Sequence, residues 1–389
     1  MTSAPPIRNL DELRATVRRF IDEDAIPHES ADLAHDVVRL DLVLKSLRAR
    51  ARELGIYAPQ LPKSLGGLEL SWRERAGILE EAGRSFLGPG AMNCAPPDQP
   101  NMISLIEHGS KEQQARYLRP LIAGEIRSCF AMTEPAPGAG SDPNMLRTTA
   151  TRDSSHWILN GHKWFISGAV NAALAIVVAK TSEGPTLFLV DTDRPGYELV
   201  RNIGSMDGYQ IGGHGEIRLQ NCRIPDECVL GEVGRGLQYA QVRLEPARLS
   251  HCMRFVGRAS RALEIAQSYV MQRDSFGERL SNLQQIQAFV ADSHIELHAS
   301  RLMIDDCAAR LDARLPVKDQ TAMAKVFVSE AVCRVADRAV QMMGALGISE
   351  DTPVSMILRE SRAFRIYDGA NELHRSTLAR RVFRNSHPC

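Results

Sequence analysis

The apolar pattern of this chain changes twice along its length, and these changes restrict the folds that are open to it. Residues 1–125 have a helical pattern, with a capping box at residues 110–113 (SKEQ). Residues 126–232 have short apolar runs separated by turn residues, as strands and hairpins do. Over residues 233–389 the helical period returns. The pattern therefore predicts a mixed α and β fold, in which an N-terminal helical domain, a middle β domain and a C-terminal helical domain follow one another.

The charge balance and the apolar runs argue against several classes of protein. Lys and Arg number 47, as do Asp and Glu, so the formal net charge is zero and no basic excess favours a nucleic-acid partner. The longest apolar run, residues 172–179, is far shorter than the roughly 18 residues that a membrane-spanning helix needs. The N-terminal segment lacks the apolar core of a signal peptide, and the eight cysteines form no CxxC pair. We therefore expect a cytoplasmic protein without a transmembrane segment.

The sequence contains none of several common site motifs. There is no GxxxxGK(S/T) loop, no GxGxxG after a predicted strand and no GxSxG elbow, which argues against a P-loop, a Rossmann site and a hydrolase serine. His294 and His298 stand four residues apart on a predicted helix, but the HIELH order is not the HExxH zinc motif and no third ligand is evident. We therefore expect no metal site.

A stretch rich in small residues begins at the first predicted strand. It reads FAMTEPAPGAGSD from Phe130, and the run NGHKWFISG follows from Asn160. Glycine and other small residues in such a loop let backbone N–H groups approach a phosphate or a flat ring closely. A tight loop between two elements explains the same composition, and composition alone favours that simpler explanation.

A second stretch, RIYDGANELHR from Arg365, lies between two predicted helical segments. Asp368 is followed by Gly369 and preceded by Ile and Tyr, so it is a candidate general base if its surroundings raise its pKa. Aspartate is also among the residues that best cap a helix N-terminus. Taken alone, a helix cap is the better explanation for Asp368.

Together, these stretches resemble the acyl-CoA dehydrogenases. The TEP and GAGSD residues, the NGHKWFIS run and the IYDG residues occur in the order seen in that family, and RDSFG from Arg273 and QMMGALG from Gln341 fit it too. Three further runs, NCAPPD from Asn93, GGHGE from Gly212 and RLSHCMR from Arg248, are similar to family members ten and eleven. The chain resembles the dehydrogenase part of those proteins alone, without their kinase-like domains.

The resemblance implies the acyl-CoA dehydrogenase fold, with a four-helix bundle as the C-terminal domain, and FAD as the cofactor. It implies that Asp368 removes the α-proton of an acyl-CoA thioester while hydride passes from the β-carbon to flavin N5, giving the trans-2-enoyl-CoA, as in fatty acid β-oxidation. Asp368 stands where the family has glutamate, and misplacing a base by about 1 Å can cost roughly a hundredfold in rate. Some members carry the base at the position of Ala247, which leaves Asp368 as the acid that matches here.

The resemblance also implies which residues bind the cofactor and the substrate. The implied FAD contacts are Phe130, Met132, Thr133, Gly140, Ser141, Phe165, Ile166, Ser167, Arg273, Ser275, Phe276, Gln284, Gln341, Gly344, Ala370 and Glu372. The implied substrate contacts are Ser141, Glu245, Arg248 and Gly369. Thr133 is expected at the pyrimidine side of the flavin and Ser167 at N5. Arg273 and its neighbours are expected to reach the ADP half of an FAD that is bound mainly to a neighbouring subunit.

The implied partners are an acyl-CoA substrate, further copies of the chain in a tetramer or dimer, and an electron-transfer flavoprotein as electron acceptor. Two alternatives stay open. A flavin oxidase similar to nitroalkane oxidase also has aspartate at this place, and Arg375, seven residues after Asp368, fits both kinds of enzyme. A catalytically silent subunit that binds FAD or CoA beside an active partner is the second alternative, and the acid at the base position argues against it.

Overall fold

The structure, a computed structural model, describes residues 9–140, 142–275 and 277–386. Ser141 and Phe276, two of the expected cofactor contacts, lie outside the described residues. The boundaries that the sequence suggests for the three domains, near residues 125 and 232, stay a prediction.

Helices occupy the N-terminal part of the chain. They are α1 (Leu10–Arg19), α2 (Ala31–His35), α3 (Val37–Glu53), α4 (Trp72–Gly83), α5 (Gly88–Ala91), α6 (Asp98–His108), α7 (Lys111–Gln113) and α8 (Arg119–Ala123). Side chains satisfy the first N–H groups of several helices, since Asn9 accepts from Glu12 and capping boxes begin α4 at Ser71 and α7 at Ser110. The capping box at Ser110 is the one that the sequence predicts.

A mixed sheet follows these helices. Its strands are β1 (Ser128–Ala131), β2 (Thr149–Asp153), β3 (His156–Ser167), β4 (Leu174–Thr181), β5 (Gly184–Asp191), β6 (Tyr197–Asn202), β7 (His214–Pro225) and β8 (Val229–Leu230). They hydrogen-bond in the order β6, β7, β3, β2, β4, β5, β8, and β1 pairs in parallel with β4. The antiparallel ladder of β3 and β7 places Ser167 opposite His214. The NGHKWFIS run therefore ends beside the beginning of β7.

Strand β4 is buried on both faces, which explains the longest apolar run in the sequence. Leu174, Ile176 and Val178 pack into the core that is shared with the helices, while Ala175 and Val177 pack into a separate core within the sheet. Successive side chains of a strand point to opposite faces, so a strand that is covered on both sides needs no alternation of polar and apolar residues. β4 thus attaches the sheet to the helices, together with β5, whose Leu187 and Leu189 pack into the same shared core.

Helices return after the sheet and form a bundle. They are α9 (Gly236–Gln272), α10 (Gln284–Asp312), α11 (Lys318–Met343), α12 (Ala345–Ile348), α13 (Val354–Phe364) and α14 (Asn371–Ser386), with the short hairpin β9 (Asp274–Ser275) and β10 (Glu278–Arg279) after α9. α9, α10 and α11 pack against one another, and α13 and α14 pack on α11. The predicted mixed fold with a C-terminal helical bundle is confirmed. Within the described ranges, no helix has both the length and the apolar character that crossing a bilayer requires.

Helices α4 and α9 approach each other closely at a pair of glycines. A Cβ on Gly83 would collide with the backbone of Arg254, and a Cβ on Gly257 would collide with the backbone of Glu80. Glycine, which lacks a Cβ, is the residue that permits such close backbone contact. At the same junction, Arg301 Nη2 of α10 lies 2.7 Å from Glu80 Oε1. These contacts fix α9, which carries several basic side chains of the site described next, against the N-terminal helices.

Candidate active site

The loop between α13 and α14 carries Asp368 in a left-handed backbone conformation. The φ of Asp368 is +54° and that of Gly369 is +91°. Aspartate tolerates this region better than most other residues that have a Cβ, and the two left-handed residues turn the chain from one helix into the next. Asp368 stands three residues before Asn371, where α14 begins, and its carboxylate faces His251 of α9. The helix cap that the sequence alone favoured is therefore not the arrangement found.

Basic side chains from three helices contact the carbonyl groups of this loop. His374 of α14 has its Nε2 3.1 Å from the Asp368 carbonyl oxygen. Arg248 Nε of α9 donates to the Asp368 carbonyl oxygen at 2.9 Å. Lys325 Nζ of α11 donates to the Gly369 carbonyl oxygen at 2.8 Å and to Asn371 Oδ1 at 2.7 Å. Lys325 is fully buried, and its burial lowers the pKa of the amine to about 8. The backbone around Asp368 is thus tied to three different helices.

The Asp368 carboxylate lies against a buried histidine. Asp368 Oδ2 is 3.2 Å from His251 Nε2, within ion-pair distance but outside hydrogen-bond geometry, and this buried oxygen has no hydrogen-bond partner among the described residues. Arg254 Nη2 lies 3.0 Å from His251 Nδ1. Because arginine only donates, the neutral His251 ring carries its proton on Nε2. Burial lowers the pKa of His251 to about 3, although the charge of Asp368 opposes the shift. His251 is therefore a neutral neighbour of the carboxylate.

The buried His251 predicts that stability depends on pH. Its pKa in the folded protein is about 3, below the ordinary value of 6.5, so between these values the unfolded chain binds a proton that the folded protein does not. We expect the free energy of unfolding to fall as the pH decreases through this window, by up to about 1.4 kcal/mol per pH unit from this group. Urea unfolding at two pH values, one above and one inside the window, measures the loss.

Two variants isolate the contribution of His251 from that of the other titrating groups. His251→Asn removes the buried imidazole and is expected to lose less stability between the two pH values than the wild type does. His28→Asn removes an exposed imidazole and is expected to lose as much as the wild type. Equal losses in all three proteins would contradict the prediction.

Another basic side chain of α9, Arg243, lies beside the first strand. The Arg243 guanidinium is 4.0 Å from the centroid of the Phe130 ring, and its Nη2 donates to Asn101 Oδ1 at 2.9 Å. Burial lowers the pKa of Arg243 to about 10, against the opposing charge of Asp368. Arg243 Nε is buried and has no hydrogen-bond partner in the described part of the chain. Arg243 and His251 are about two helical turns apart on α9, so this helix connects the Phe130 side of the site with the Asp368 side.

The end of β3 is distorted at Phe165. This residue has a φ of +51°, and its side chain is 47% exposed. The ladder with β7 is irregular between Lys163 and Ile166. Trp164 N donates to the Thr133 carbonyl oxygen at 3.1 Å, so the loop that begins with residues 133–135 (TEP), here called the TEP loop, lies beside β3. Positive φ at a bulky residue is strained, and such strain clusters at functional sites. The Ile166 side chain is buried in the core of the sheet, so only its backbone is open to a ligand.

A buried ion pair fixes the TEP loop. Lys163 Nζ lies 2.9 Å from Glu134 Oε1 and donates to the Met132 carbonyl oxygen at 3.0 Å. Glu134 Oε1 also accepts from the Thr148 N–H at 2.9 Å. Burial alone would raise the pKa of Glu134, but the Lys163 charge and the hydrogen bonds from Thr148 Oγ1, Lys163 and the Arg147 N–H lower it to about 2. Gly140 is exposed, and a Cβ built on it would meet none of the described residues within 4 Å, so the loop borders open space here.

The expected substrate contacts in the described residues come together at Asp368. Arg248 contacts the Asp368 carbonyl group, and Gly369 is the next residue in the loop. Glu245 is half-buried about one turn before Arg248 on α9. Burial lowers the pKa of Arg248, whereas the charges of Asp368 and Glu245 oppose this shift. Helix α9 therefore contributes one acidic side chain, Glu245, and one cationic side chain, Arg248, to this part of the site.

The expected contacts to the ADP half of FAD lie at another end of the bundle. This group consists of Arg273, Ser275, Gln284, Gln341 and Gly344. Glu296 of α10 pairs with Arg334 and Arg338 of α11, at 2.6 and 2.8 Å, so the end of α11 lies beside the beginning of α10. Arg273 follows Arg248 by 25 residues along α9, a distance of about 37 Å at 1.5 Å per residue. One chain therefore does not bring this group to its own Asp368.

Ala370 and Glu372, the remaining expected cofactor contacts, flank Asn371 at the start of α14. The Asn371 side chain donates to Glu330 Oε1 at 2.9 Å, which places all three beside the middle of α11. Glu372 is exposed and Ala370 is half-buried. They lie near the Asp368 loop rather than with the Arg273 group.

A small cavity of about 100 Å³ adjoins the site, and the residues around it include His251, Arg254 and Tyr367. Among the described residues, none of the predicted site residues lines this cavity, and none lines a larger cavity of about 630 Å³ beside Tyr57 and Arg119 in the N-terminal helices. Chemistry requires a reactive group as well as space, so we place the site at the Asp368 carboxylate, which lies beside His251 at the edge of the smaller cavity. Among the described residues, no cluster of three His, Cys, Asp or Glu side chains is arranged to hold a metal ion.

Sequence reasoning did not identify Arg243, His251 or Lys325. The available signal was a basic side chain within an apolar helical stripe. Lys325, for example, stands three residues before Val328 and seven before Val332, both of which are fully buried. That spacing predicts a buried lysine, but it does not reveal the loop that the lysine binds.

Comparison with protein families gives matches along nearly the whole chain. The model described as acyl-CoA dehydrogenase, N-terminal domain, matches residues 8–125. The model for the middle domain of that family matches residues 129–222, and the model for its C-terminal domain matches residues 234–383. The three matches follow one another in the order of the helical, β and helical parts of the structure.

Individual proteins agree with these matches. The chain is 36% identical over 349 residues to "Probable acyl-CoA dehydrogenase FadE2" of Mycobacterium tuberculosis, covering 87% of this chain and 85% of that protein. It is 37% identical to acyl-CoA dehydrogenase family member 11 of Gallus gallus over 87% of this chain, but it spans only 45% of that longer protein. The solved acyl-CoA dehydrogenase from Geobacillus kaustophilus has a TM-score of 0.84 at 27% identity, covering 98% of this chain and 100% of that one. The chain therefore belongs to the acyl-CoA dehydrogenase family.

Proposed function

We propose that the protein is an FAD-dependent acyl-CoA dehydrogenase that oxidises an acyl-CoA thioester to the trans-2-enoyl-CoA, with Asp368 as the base that removes the α-proton. The observation that carries this proposal is the Asp368 carboxylate, which is held in a left-handed loop with Oδ2 buried and without a hydrogen bond among the described residues. A carboxylate that is not engaged in this way is available to accept a proton. Family membership supports the reaction class.

The residues present fit a bound flavin. Thr133 and Ser167 supply hydroxyl groups that suit the polar rim of a ring system. Phe165 supplies an exposed aromatic ring for packing against a flat one, and open space borders Gly140. The buried Arg243 Nε, which has no partner among the described residues, is a further donor for a bound molecule. When bound, FAD supplies the acceptor for the hydrogen and electron pair that leave the β-carbon.

The chain's own residues then position the substrate and take up its α-proton. We assign the Asp368 backbone N–H to the thioester carbonyl, because a donor there stabilises the negative charge that develops on that oxygen as the α-proton leaves. Arg248 and Lys325 hold the carbonyl groups of the loop, so the base stays in place. Glu245, with Arg248, borders the CoA chain, as we also propose for Ser141.

We further propose that the enzyme acts as a homo-oligomer. Arg273 lies about 37 Å along α9 from Arg248 and hence from the Asp368 loop, so it and its neighbours would bind the ADP half of an FAD held by another copy. An arginine suits a pyrophosphate through charge-assisted hydrogen bonds. An electron-transfer flavoprotein is the proposed electron acceptor, and the cytoplasm is the proposed location.

The visible spectrum of the purified protein, recorded before and after anaerobic addition of a panel of acyl-CoA thioesters, tests the proposal. We expect a flavin spectrum that bleaches with at least one thioester. A flavin spectrum that no thioester changes would contradict dehydrogenation, and bleaching by a nitroalkane with rapid reoxidation by oxygen would favour the oxidase instead. A colourless protein that cannot be reconstituted with FAD would overturn the proposal altogether.

A further inference from the structure

Three side chains from three segments form a hydrogen-bonded chain at the end of β3. Ser167 Oγ lies 3.1 Å from His214 Nδ1 at the start of β7. His214 Nε2 lies 3.1 Å from Asp207 Oδ2 and 3.3 Å from Oδ1 in the loop before β7. The His214 and Asp207 side chains are only 15% and 11% exposed. A serine, a histidine and a carboxylate are thus linked within the protein, and the activity proposed above uses only the serine.

The backbone holds this chain in a fixed geometry. Ser167 and His214 are direct partners in the ladder of β3 and β7. Next to them, Gly168 N donates to the Gly213 carbonyl oxygen at 2.9 Å. The Asn202 side chain accepts from His214 N at 2.9 Å. The distance between the hydroxyl and the ring is therefore set by the sheet rather than by a flexible loop.

The direction of the hydroxyl proton follows from the hydrogen-bonding capacities of the three groups. An ionised carboxylate only accepts, so the proton of the neutral His214 ring is on Nε2, facing Asp207. His214 Nδ1 is then an acceptor, and the Ser167 hydroxyl donates to it. A hydroxyl has one proton. Ser167 Oγ therefore offers only lone pairs to any ligand on its other side.

We propose that His214 is a positioning residue that turns the Ser167 hydroxyl away from the flavin and thereby favours the reduced form of the bound FAD. This inference rests on the proposed function, which puts Ser167 at flavin N5. N5 of the oxidised ring accepts hydrogen bonds, whereas N5 of the reduced ring carries a proton and donates. A hydroxyl that already donates to His214 matches the reduced ring and leaves the oxidised ring without its donor. One hydrogen bond gained in one state alone shifts the ratio of the two states by about five- to tenfold.

The experiment is a measurement of the equilibrium between FAD bound to the protein and a reference redox dye. In His214→Phe, which keeps a ring but removes its nitrogens, we expect the ratio of reduced to oxidised flavin at a given dye ratio to fall about five- to tenfold. His214→Asn can present its amide oxygen near the position of Nδ1, and it is expected to restore most of the wild-type ratio. His214→Leu is a second apolar variant for the case in which the His214→Phe protein folds poorly, and the same fall in the ratio is expected for it.

A matched control and a double variant exclude a purely electrostatic or structural effect. His162→Phe removes a histidine of the neighbouring strand β3 that also pairs with a carboxylate, at 2.8 Å from Glu216 Oε1. This variant is expected to leave the flavin ratio unchanged. If His214 acts through Ser167, the ratios in Ser167→Ala and in Ser167→Ala/His214→Phe are expected to be equal.

Each outcome bears on a different statement. An unchanged ratio of reduced to oxidised flavin in His214→Phe would overturn the role of His214 and leave the proposed function intact. The same holds if His214→Phe lowers this ratio equally in the wild-type protein and in the Ser167→Ala variant. An unchanged ratio in Ser167→Ala alone would show that Ser167 does not contact the flavin, which also overturns the inference. Wild-type protein that binds no FAD would instead overturn the proposed function, and the inference with it.

Discussion

The Asp368→Asn variant is expected to keep its FAD but to be reduced by acyl-CoA thioesters about 10²- to 10⁴-fold more slowly than the wild type. Asparagine has nearly the shape of aspartate, so the loop between α13 and α14 and its bonds to Arg248 and Lys325 can remain. Its amide, however, is not a base that can take up the α-proton. Stopped-flow recording of flavin bleaching under anaerobic conditions gives the rate, and the absorbance before mixing gives the FAD content.

Two further variants make this result specific to the base. Asp193→Asn changes an exposed aspartate outside the site, and its rate of flavin reduction is expected to equal that of the wild type. Asp368→Glu introduces glutamate, the longer residue that the family has at this position. It is expected to retain measurable reduction of the flavin because a carboxylate is still present. Flavin reduction at the full rate in Asp368→Asn would show that another group is the base.

The second large effect is expected at Lys325. In Lys325→Met the side chain keeps its approximate volume but loses the ammonium that donates to the Gly369 carbonyl oxygen and to Asn371 Oδ1. The Gly369 carbonyl oxygen is then left without this partner at a site that the lysine fully buries, whereas Asn371 Oδ1 still accepts from Ser329 Oγ at 3.2 Å. Leaving a buried group unsatisfied costs about 1–3 kcal/mol. We expect the free energy of unfolding in urea to fall by about 1–3 kcal/mol, and flavin reduction to slow because the loop that carries Asp368 loses one of its anchors.

Lys318→Met is the matched control for this change. Lys318 is the first residue of the same helix, α11, and it is exposed. Its substitution is expected to alter the free energy of unfolding by no more than about 0.5 kcal/mol. If both variants unfold at the same urea concentration, the buried ammonium does not stabilise the loop.

The order of helices and strands could be predicted from the sequence because apolar residues recur at different spacings in helices and in strands. Many different residues can maintain either spacing. The change near residue 126 and the return near residue 233 lie close to the end of α8 at Ala123 and the beginning of α9 at Gly236. The apolar run of β4 could be recognised as a strand, but the burial of its second face depends on helices that are distant in sequence.

The candidate site could be predicted only in part, because its geometry depends on partners that are far apart in sequence. Asp368 was identified through the order of the motifs, while its own surroundings favoured a helix cap. His251 and Lys325 were missed, since each meets the loop across 117 and 43 residues of chain, respectively. Ile166 was expected to contact the cofactor, but strand parity sets it on the face opposite to its neighbour Ser167, and its side chain is buried in the core of the sheet. That parity is visible in the sequence and would have limited Ile166 to a backbone contact.

Strand β4, which is covered on both faces, limits how this chain can be divided or recombined. Without the helices, Leu174, Ile176 and Val178 would form an apolar stripe in water, and such stripes promote association between copies. The sheet is therefore not a portable module. Transfer of the sheet to another scaffold would also require a helical surface that fits this stripe.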